Sequence, residues 1–368
     1  MTKVSHQPFD GLGMRLSKSL RFHAESFRRH LALANAVRRA RKSPLDPFKL
    51  TWILTEECSL RCRTCHLWAT QPHSGPDLTT IRKVLKANQH LTWLNLSGGD
   101  FVERQDAPQI LDHVARLLPD LCLLDFPTAG QNPEATLAAI EPLLDSPIPH
   151  IYVSVSLDGD DETHDNIRRQ QGAAARARET LRRLTAIQRT GFHAVAGFTL
   201  SSHSSSVTKG EPPAAILPPG VDPREIHLNL GHQSDHYYRN QQDSLPEKET
   251  ALALIDHLAG FSRPTLLGWI ERKYWKIARQ YLRTGDVGGP CAAMKASVFL
   301  AADLTVYPCS IFDAPIGDLS KVGYALRRIS EFKSTPQTLE SVENRQCPNC
   351  WSPCEAFPTL LYNYGRFP

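Results

Sequence analysis

The chain has 368 residues, 41% hydrophobic and 22% charged, with a formal net charge of +4, enough for one large α/β domain and a smaller one. No apolar run reaches the roughly 18 to 20 residues a membrane-spanning helix needs, and the N-terminus lacks the basic-then-apolar pattern of a secretory signal, so a cytoplasmic location is expected. Residues 1–47 hold ten Lys/Arg against three Asp/Glu, which leaves a near-neutral body without a nucleic-acid signature.

In chain order, residues 11–43 read as a basic amphipathic helix. Leu16, Leu20, Phe27, Leu31 and Ala34 recur at helical spacing, and Arg15, Lys18, Arg21, Arg28, Arg29, Arg38, Arg39 and Arg41 decorate it. Two readings stay open: a helix packed on the body with a solvated basic face, or an interfacial helix making weak contact with a membrane surface. Ser43-Pro44-Leu45-Asp46-Pro47 stops it.

Strands are expected over Phe48–Leu54, Leu91–Leu96, Leu121–Phe126, Ile151–Leu157, Ala194–Leu200 and Ile226–Leu230. All are short, apolar and bounded by Gly, Pro or polar residues. Helical periodicity fills Leu78–His90, Ala107–Leu118, Pro133–Leu144 and Ala173–Arg189, with Asp77, Asp106 and Asn132 as N-caps. Strands alternating with helices give a parallel sheet with helices outside. Six of them suit an α/β fold of the partial (β/α)6, TIM-like barrel kind, with ligands at the C-terminal strand ends. Residues 203–223 read as a Ser/Pro/Gly-rich loop and 246–284 as two helices. Beyond these the texture changes to turns and cysteines, a small α+β unit. The expected division is a helix over 1–47, a barrel over 48–245, a helical linker over 246–285 and a cysteine-rich domain over 286–368.

Eight of the nine cysteines fall into two groups. In a reducing compartment that clustering points to metal rather than disulfides. Cys58, Cys62 and Cys65 form C-x3-C-x2-C just after the first strand. Three close thiolates can hold an iron–sulfur cluster and leave one iron open, and an open metal position is where chemistry happens. The competing reading is structural zinc, which wants four protein ligands; His66, adjacent to Cys65, is poorly placed to be the fourth.

With this motif at the first strand end, the chain resembles the radical S-adenosylmethionine superfamily. The resemblance covers roughly residues 48–230. It implies a 4Fe–4S cluster on Cys58, Cys62 and Cys65 whose fourth iron chelates S-adenosylmethionine. One electron, from a donor such as flavodoxin or ferredoxin, then yields a 5′-deoxyadenosyl radical that takes a hydrogen atom from substrate. Gly98-Gly99-Asp100 looks like the family's Gly-Gly-Glu segment and Thr128-Ala129-Gly130 like its Thr-Asn-Gly. Ser156-Leu157-Asp158-Gly159, with His164, Asp165 and Arg168, resembles a segment of the peptide-modifying branch. Gly98, Gly99, Asp100, Thr128, Ser156 and Arg168 are therefore expected at the cofactor. Thr64 stands where the family often has an aromatic residue, so Leu67 or Trp68 is expected to meet the adenine.

Cys291 and Cys309 flank an expected hairpin, Val298–Ala301 with Thr305–Tyr307, and Cys347-x2-Cys350-x3-Cys354 follows. This resembles the SPASM domain in its shortened, twitch form, which implies one auxiliary 4Fe–4S cluster. Cys291, Cys309, Cys347 and Cys350 are the expected ligands, and Cys354 either replaces Cys350 or stays free. Cys122 reads as core. His227 and Asn229 share one face of the sixth strand. They are candidate substrate residues with His232, Asp235 and His236, a His or Asp handling a proton. The expected function is a radical enzyme, an oxidoreductase or modifying enzyme, acting on a peptide or small molecule. The alternative is a non-catalytic zinc- or iron–sulfur-binding protein.

Overall fold

The computed structural model describes residues 10–204, 217–241, 247–259 and 266–364. Six parallel strands form in chain order: β1 (Lys49–Ile53), β2 (Trp93–Ser97), β3 (Leu123–Thr128), β4 (His150–Ser156), β5 (Phe192–Leu200) and β6 (Ile226–Leu230). Helices α2 (Leu78–Ala87), α3 (Ala107–Leu117), α4 (Pro133–Leu144), α5 (Asp161–Arg168) and α6 (Ala173–Thr185) connect them. This is the expected (β/α)6 pattern, and the sheet does not close.

Alternation along the strands decides what faces where. Leu50, Trp52, Leu54, Leu94, Leu96, Leu124 and Phe126 point into one continuous core shared with the helices. Each such side chain, fully buried, stabilises the fold by about 1.5–3 kcal/mol. The intervening positions face the other way and are largely polar: Lys49, Trp93, Asn95, Ser97, Asp125, Tyr152, Ser154 and Ser156 line a cavity.

The helix starts follow capping chemistry. Asp77 accepts from the Thr80 amide at 2.7 Å and Asn132 from the Ala135 amide at 3.0 Å. Asp106 does not cap α3. Its carboxylate is taken by Arg104, at 2.8 Å from both Nε and Nη2, and an ion pair to a neighbouring guanidinium outcompetes a bond to the helix amides. Helix α5 carries almost no apolar periodicity. It is held by Asp160, which accepts from Thr163 N at 2.8 Å, and it ends at Arg169 with φ 54.

Beyond β6 come α7 (Lys248–Ala259) and α8 (Leu266–Thr284), the two expected helices. The hairpin follows as β7 (Ser297–Leu300) and β8 (Thr305–Tyr307), paired through Phe299↔Tyr307 and Leu300↔Val306. Strand β7 also lies parallel beside β1, from Lys49↔Ser297 to Trp52↔Leu300. With β9 (Gly317–Asp318), the sheet runs β6-β5-β4-β3-β2-β1-β7-β8-β9. The cysteine-rich end is thus hydrogen-bonded into the barrel sheet, and α9 (Thr335–Glu343) and α10 (Pro353–Tyr362) complete it.

Helix α1 (Asp10–Lys42) packs on the body. Arg29 donates to the Leu121 and Leu118 carbonyls at 2.8 and 3.3 Å. Ala36 and Ala40 are buried against Phe48 and Trp93. The side chains of Arg15, Leu16 and Lys18 lie outside the described residues, as do residues 205–216 of the expected loop. Among the described residues no helix is long and apolar enough to cross a membrane.

Candidate functional site

The cavity has a volume of about 390 Å3 and runs from Lys49, Trp93 and Leu123, the first residues of β1, β2 and β3, to the C-terminal strand ends. Cys58, Cys62 and Cys65 all line it, on the loop that leaves β1. That loop is tied down from several sides. Arg63 donates to Asn166 Oδ1 at 2.9 Å, Trp68 Nε1 to the Cys62 carbonyl at 3.1 Å and Ser59 Oγ to Glu103 Oε1 at 2.8 Å. The Leu60 amide donates to Cys58 Sγ at 3.5 Å. Burial pushes the Cys58 thiol up to about 12 and the Cys65 thiol up to about 11, so a bound metal must displace their protons.

Gly98 and Gly99 directly follow β2 and line the same cavity. Their need for glycine comes from the cysteine loop. A Cβ on Gly98 would meet the Thr55 carbonyl oxygen at 2.2 Å, and one on Gly99 the Glu57 carbonyl oxygen at 1.9 Å. The two backbones are stitched together by Gly99 N to Thr55 O at 2.8 Å and Asp100 N to Glu57 O at 3.1 Å. Asp100 itself is not among the cavity-lining residues. Its Oδ2 accepts from Thr128 Oγ1 at 2.9 Å and Ala129 N at 2.8 Å, while Oδ1 is buried without a partner. Burial raises its carboxyl to about 7. Asp100 therefore ties the end of β2 to the end of β3 and leaves Thr128 facing the cavity.

Ser156 and Arg168 line the cavity too. Arg168 is ion-paired with Asp158, and its Nη1 lies 3.5 Å from Cys62 Sγ. Asp158 is fixed in turn by the Thr199 amide at 2.9 Å. Leu67 and Trp68 both reach the cavity wall. His66 does not line it: its Nδ1 lies 3.0 Å from the Arg239 carbonyl oxygen.

The five substrate candidates divide. His227, Asn229 and His232 line the cavity; Asp235 and His236 do not. Asp235 is exposed. His236 stacks on Tyr307 at 4.2 Å, with Nε2 3.0 Å from the Cys309 carbonyl oxygen, so it braces the hairpin instead of facing the cavity. Burial pulls His227 and His232 down to about 4, which leaves them neutral hydrogen-bonding groups near pH 7 and weak bases. Sequence reasoning missed the floor of the cavity: Lys49, Asn95, Asp125 and Tyr152. Lys49 is 1% exposed and donates to the Cys354 carbonyl. Asp125 accepts from Trp93 Nε1 at 2.6 Å and Asn95 Nδ2 at 2.5 Å. The signal was present, since charged residues at alternate positions of apolar strands mark a polar lumen. Tyr237 and Tyr238 also line the cavity; the Tyr237 hydroxyl lies 2.6 Å from Ser97 Oγ.

A second pocket gathers Cys291, Cys309, Cys347 and Cys350. Two backbone amides point at its sulfurs, Ala293 N to Cys291 Sγ at 3.4 Å and Phe312 N to Cys309 Sγ at 3.2 Å. Glu355 lines it too, with Oε1 buried and unpartnered. Cys354 is not part of this pocket and lines the main cavity. Cys122 is buried at 1% exposure. Among the described residues no three Cys, His, Asp or Glu side chains converge closely enough for a single metal ion.

No protein-family model matches the sequence, and no curated protein does. Solved structures do. Native anSMEcpe with bound AdoMet superposes with a TM-score of 0.54 at 13% identity, over 87% of this chain and 98% of that one. The same protein with AdoMet and the Cp18Cys peptide gives 0.53 at 12% identity, over the same shares. The chain has the radical S-adenosylmethionine enzyme fold. Streptococcus suis SuiB bound to S-adenosylmethionine is a weaker match, with a TM-score of 0.48 at 13% identity over 72% of this chain and 60% of that one.

Proposed function

We propose that this chain is a radical S-adenosylmethionine enzyme. Cys58, Cys62 and Cys65 would hold a 4Fe–4S cluster and leave one iron for S-adenosylmethionine; Cys291, Cys309, Cys347 and Cys350 would hold one auxiliary 4Fe–4S cluster. One observation carries the reading: three thiols from one loop share a cavity with Gly98, Gly99, Thr128 and Ser156, at or just beyond successive strand ends, and with Arg168 at the end of α5. Three thiols on one loop suit a 4Fe–4S cube with one iron open, whereas a structural zinc ion wants four protein ligands. When bound, the cluster and S-adenosylmethionine supply a 5′-deoxyadenosyl radical able to take hydrogen from an unactivated C–H bond.

The chain's own residues bind, orient and shield. The Arg168 guanidinium, held by Asp158, places positive charge against the Cys62 sulfur. Amides at Cys58, Cys291 and Cys309 stabilise charge on those sulfurs. The Ser156 hydroxyl would meet the polar end of S-adenosylmethionine, Thr128, its hydroxyl held by Asp100 and Gly130, would shape the wall beside it, and Leu67 and Trp68 would give its adenine an apolar wall. His227, Asn229, His232, Asn95 and Asp125 give the rest of the cavity hydrogen-bonding walls, suited to a polar group of a peptide or small-molecule substrate. The peptide bound beside AdoMet in anSMEcpe supports a peptide as one such class. An electron donor such as flavodoxin or ferredoxin completes the system.

Reconstitution without oxygen tests this. Brown protein with about eight irons that releases 5′-deoxyadenosine from S-adenosylmethionine under dithionite is the expected result. Colourless, zinc-loaded protein would overturn the proposal. Brown protein that forms no 5′-deoxyadenosine would mark an iron–sulfur protein without this chemistry.

A further inference from the structure

Helix α1 has two apolar faces, and only one of them is used. The docked face presents Arg29, Leu33, Ala36, Val37 and Ala40 to the body. The opposite face carries Leu20, Phe27 and Leu31, which are 70%, 66% and 49% exposed. Among the described residues only four large apolar side chains are exposed, and these are three of them. Ala24 and Ala34 are exposed as well. At about 100° per residue, the five fall within one narrow stripe along the helix. Contiguous apolar surface of this kind marks an interaction site more often than scattered residues do.

The border of the stripe identifies its occupant. Arg21 and Arg28 each follow a stripe residue by one position and run along one edge with Arg39, while Arg38 and Lys42 close the C-terminal end; all five are exposed. Arg28 is partly neutralised by Asp120 and Glu25, and Arg39 lies 3.5 Å from Asp46. Among the described residues Arg21, Arg38 and Lys42 have no ion pair. No acidic residue occurs between Ser26 and Leu45. Leu and Phe flanked by arginines match an anionic lipid surface, where the apolar groups enter the acyl boundary and the guanidinium groups meet phosphates. A second copy of the same stripe would bring like-charged borders together.

The position of the helix fits this role. Docked Arg29 holds the Leu118 and Leu121 carbonyls, just before β3, Arg28 reaches from the stripe's edge to Pro119 and Asp120, and His30 meets His150, the first residue of β4, with Nε2 atoms 3.0 Å apart. Both contacts lie at the N-terminal strand ends, opposite the cysteine loop. We infer that α1 is a peripheral membrane-binding helix that seats the protein on anionic lipid through Leu20, Phe27 and Leu31, with the cysteine loop on the side away from the helix.

Flotation of the full chain with vesicles tests it. Binding is expected to phosphatidylcholine vesicles containing phosphatidylserine, to weaken as salt is raised, and to be slight on phosphatidylcholine alone. The double variant Phe27→Glu, Leu31→Glu should lower the fraction bound about tenfold or more. Arg21→Gln with Arg38→Gln should remove most of the preference for anionic vesicles. All of these positions are exposed, so the circular-dichroism melt should match that of the wild type, and S-adenosylmethionine cleavage should be unaltered. The inference is overturned if wild-type protein ignores anionic vesicles, if the glutamate variant binds as well, or if the wild type self-associates in solution and the glutamate variant does not, which would assign the stripe to a second copy. Neither vesicle binding nor self-association requires catalysis, so the lipid result stands apart from the proposed reaction.

Discussion

Cys58, Cys62 and Cys65 come from one short loop at the end of one strand, whereas Cys291, Cys309, Cys347 and Cys350 are gathered from the approach to β7, the end of β8 and the turn before α10. The first group faces the large cavity, and its loop lies against the Gly98-Gly99 backbone. The second has a pocket of its own, and Cys354, only four positions beyond Cys350, has left it for the cavity. A set of three thiols beside open space leaves a coordination position for a ligand, while a set of four is complete in itself. The contrast teaches that donor count and access would set the two groups apart, since burial raises the Cys58 and Cys291 thiols alike, each to about 12.

The sharpest way to break that contrast is Cys58→Ala. It should reduce 5′-deoxyadenosine formation to background and remove about half of the bound iron, measured by chromatography and iron assay on anaerobic protein. Cys291→Ala should also lose about half of the iron, yet still cleave S-adenosylmethionine while failing on its true substrate. Cys354→Ala should keep the full iron content; if it lost iron as Cys291→Ala does, the division between the pockets would be wrong. A smaller effect is expected at Gly99→Ala. The new Cβ would meet the Glu57 carbonyl oxygen at 1.9 Å, and backbone cannot yield as a flexible side chain does. A loss of about 3 kcal/mol is expected, read as a lower Tm, together with poorer cluster loading at Cys58 than at Cys291.

The mildest test concerns the scaffold that both groups share. Burial lowers His90, His150 and His164 from 6.5 to about 4. The unfolded chain therefore takes up protons first as the pH falls. The stability these groups contribute is present above about 6.5 and is lost progressively toward about 4. Melting temperature should drop across that window, and His164→Gln should flatten part of the slope.

Much of this was legible in the sequence, for identifiable reasons. Strands such as Ile226–Leu230 and helices such as Pro133–Leu144 were readable because apolar periodicity and a proline or polar boundary agreed. Helix α5 was not, because it is held by the Asp160 cap and by Arg63 on Asn166, with only Ile167 as an apolar anchor. Asp106 carried the right residue type for a cap but had a stronger partner two positions away. At the site, the order of motifs along the chain placed Gly98, Gly99, Thr128, Ser156 and Arg168 on the cavity. Spacing could not say which way Asp100 turns, nor that Cys354 points away from Cys350. Those choices depend on side-chain packing between distant segments. Lys49 and Asp125 were overlooked because each was read as part of an apolar run.

The pairing of β7 with β1 has a consequence for biogenesis and for anyone trimming the gene. Strand β1 emerges early in synthesis, but its neighbour on one flank is not made until residues 297–300. Until then β1 carries a bare row of amides and carbonyls, a template for unwanted partners. A fragment ending near 285 would keep that sticky flank for good. It should clump rather than yield a smaller working barrel, so the cysteine-rich tail doubles as the stitched hem of the sheet.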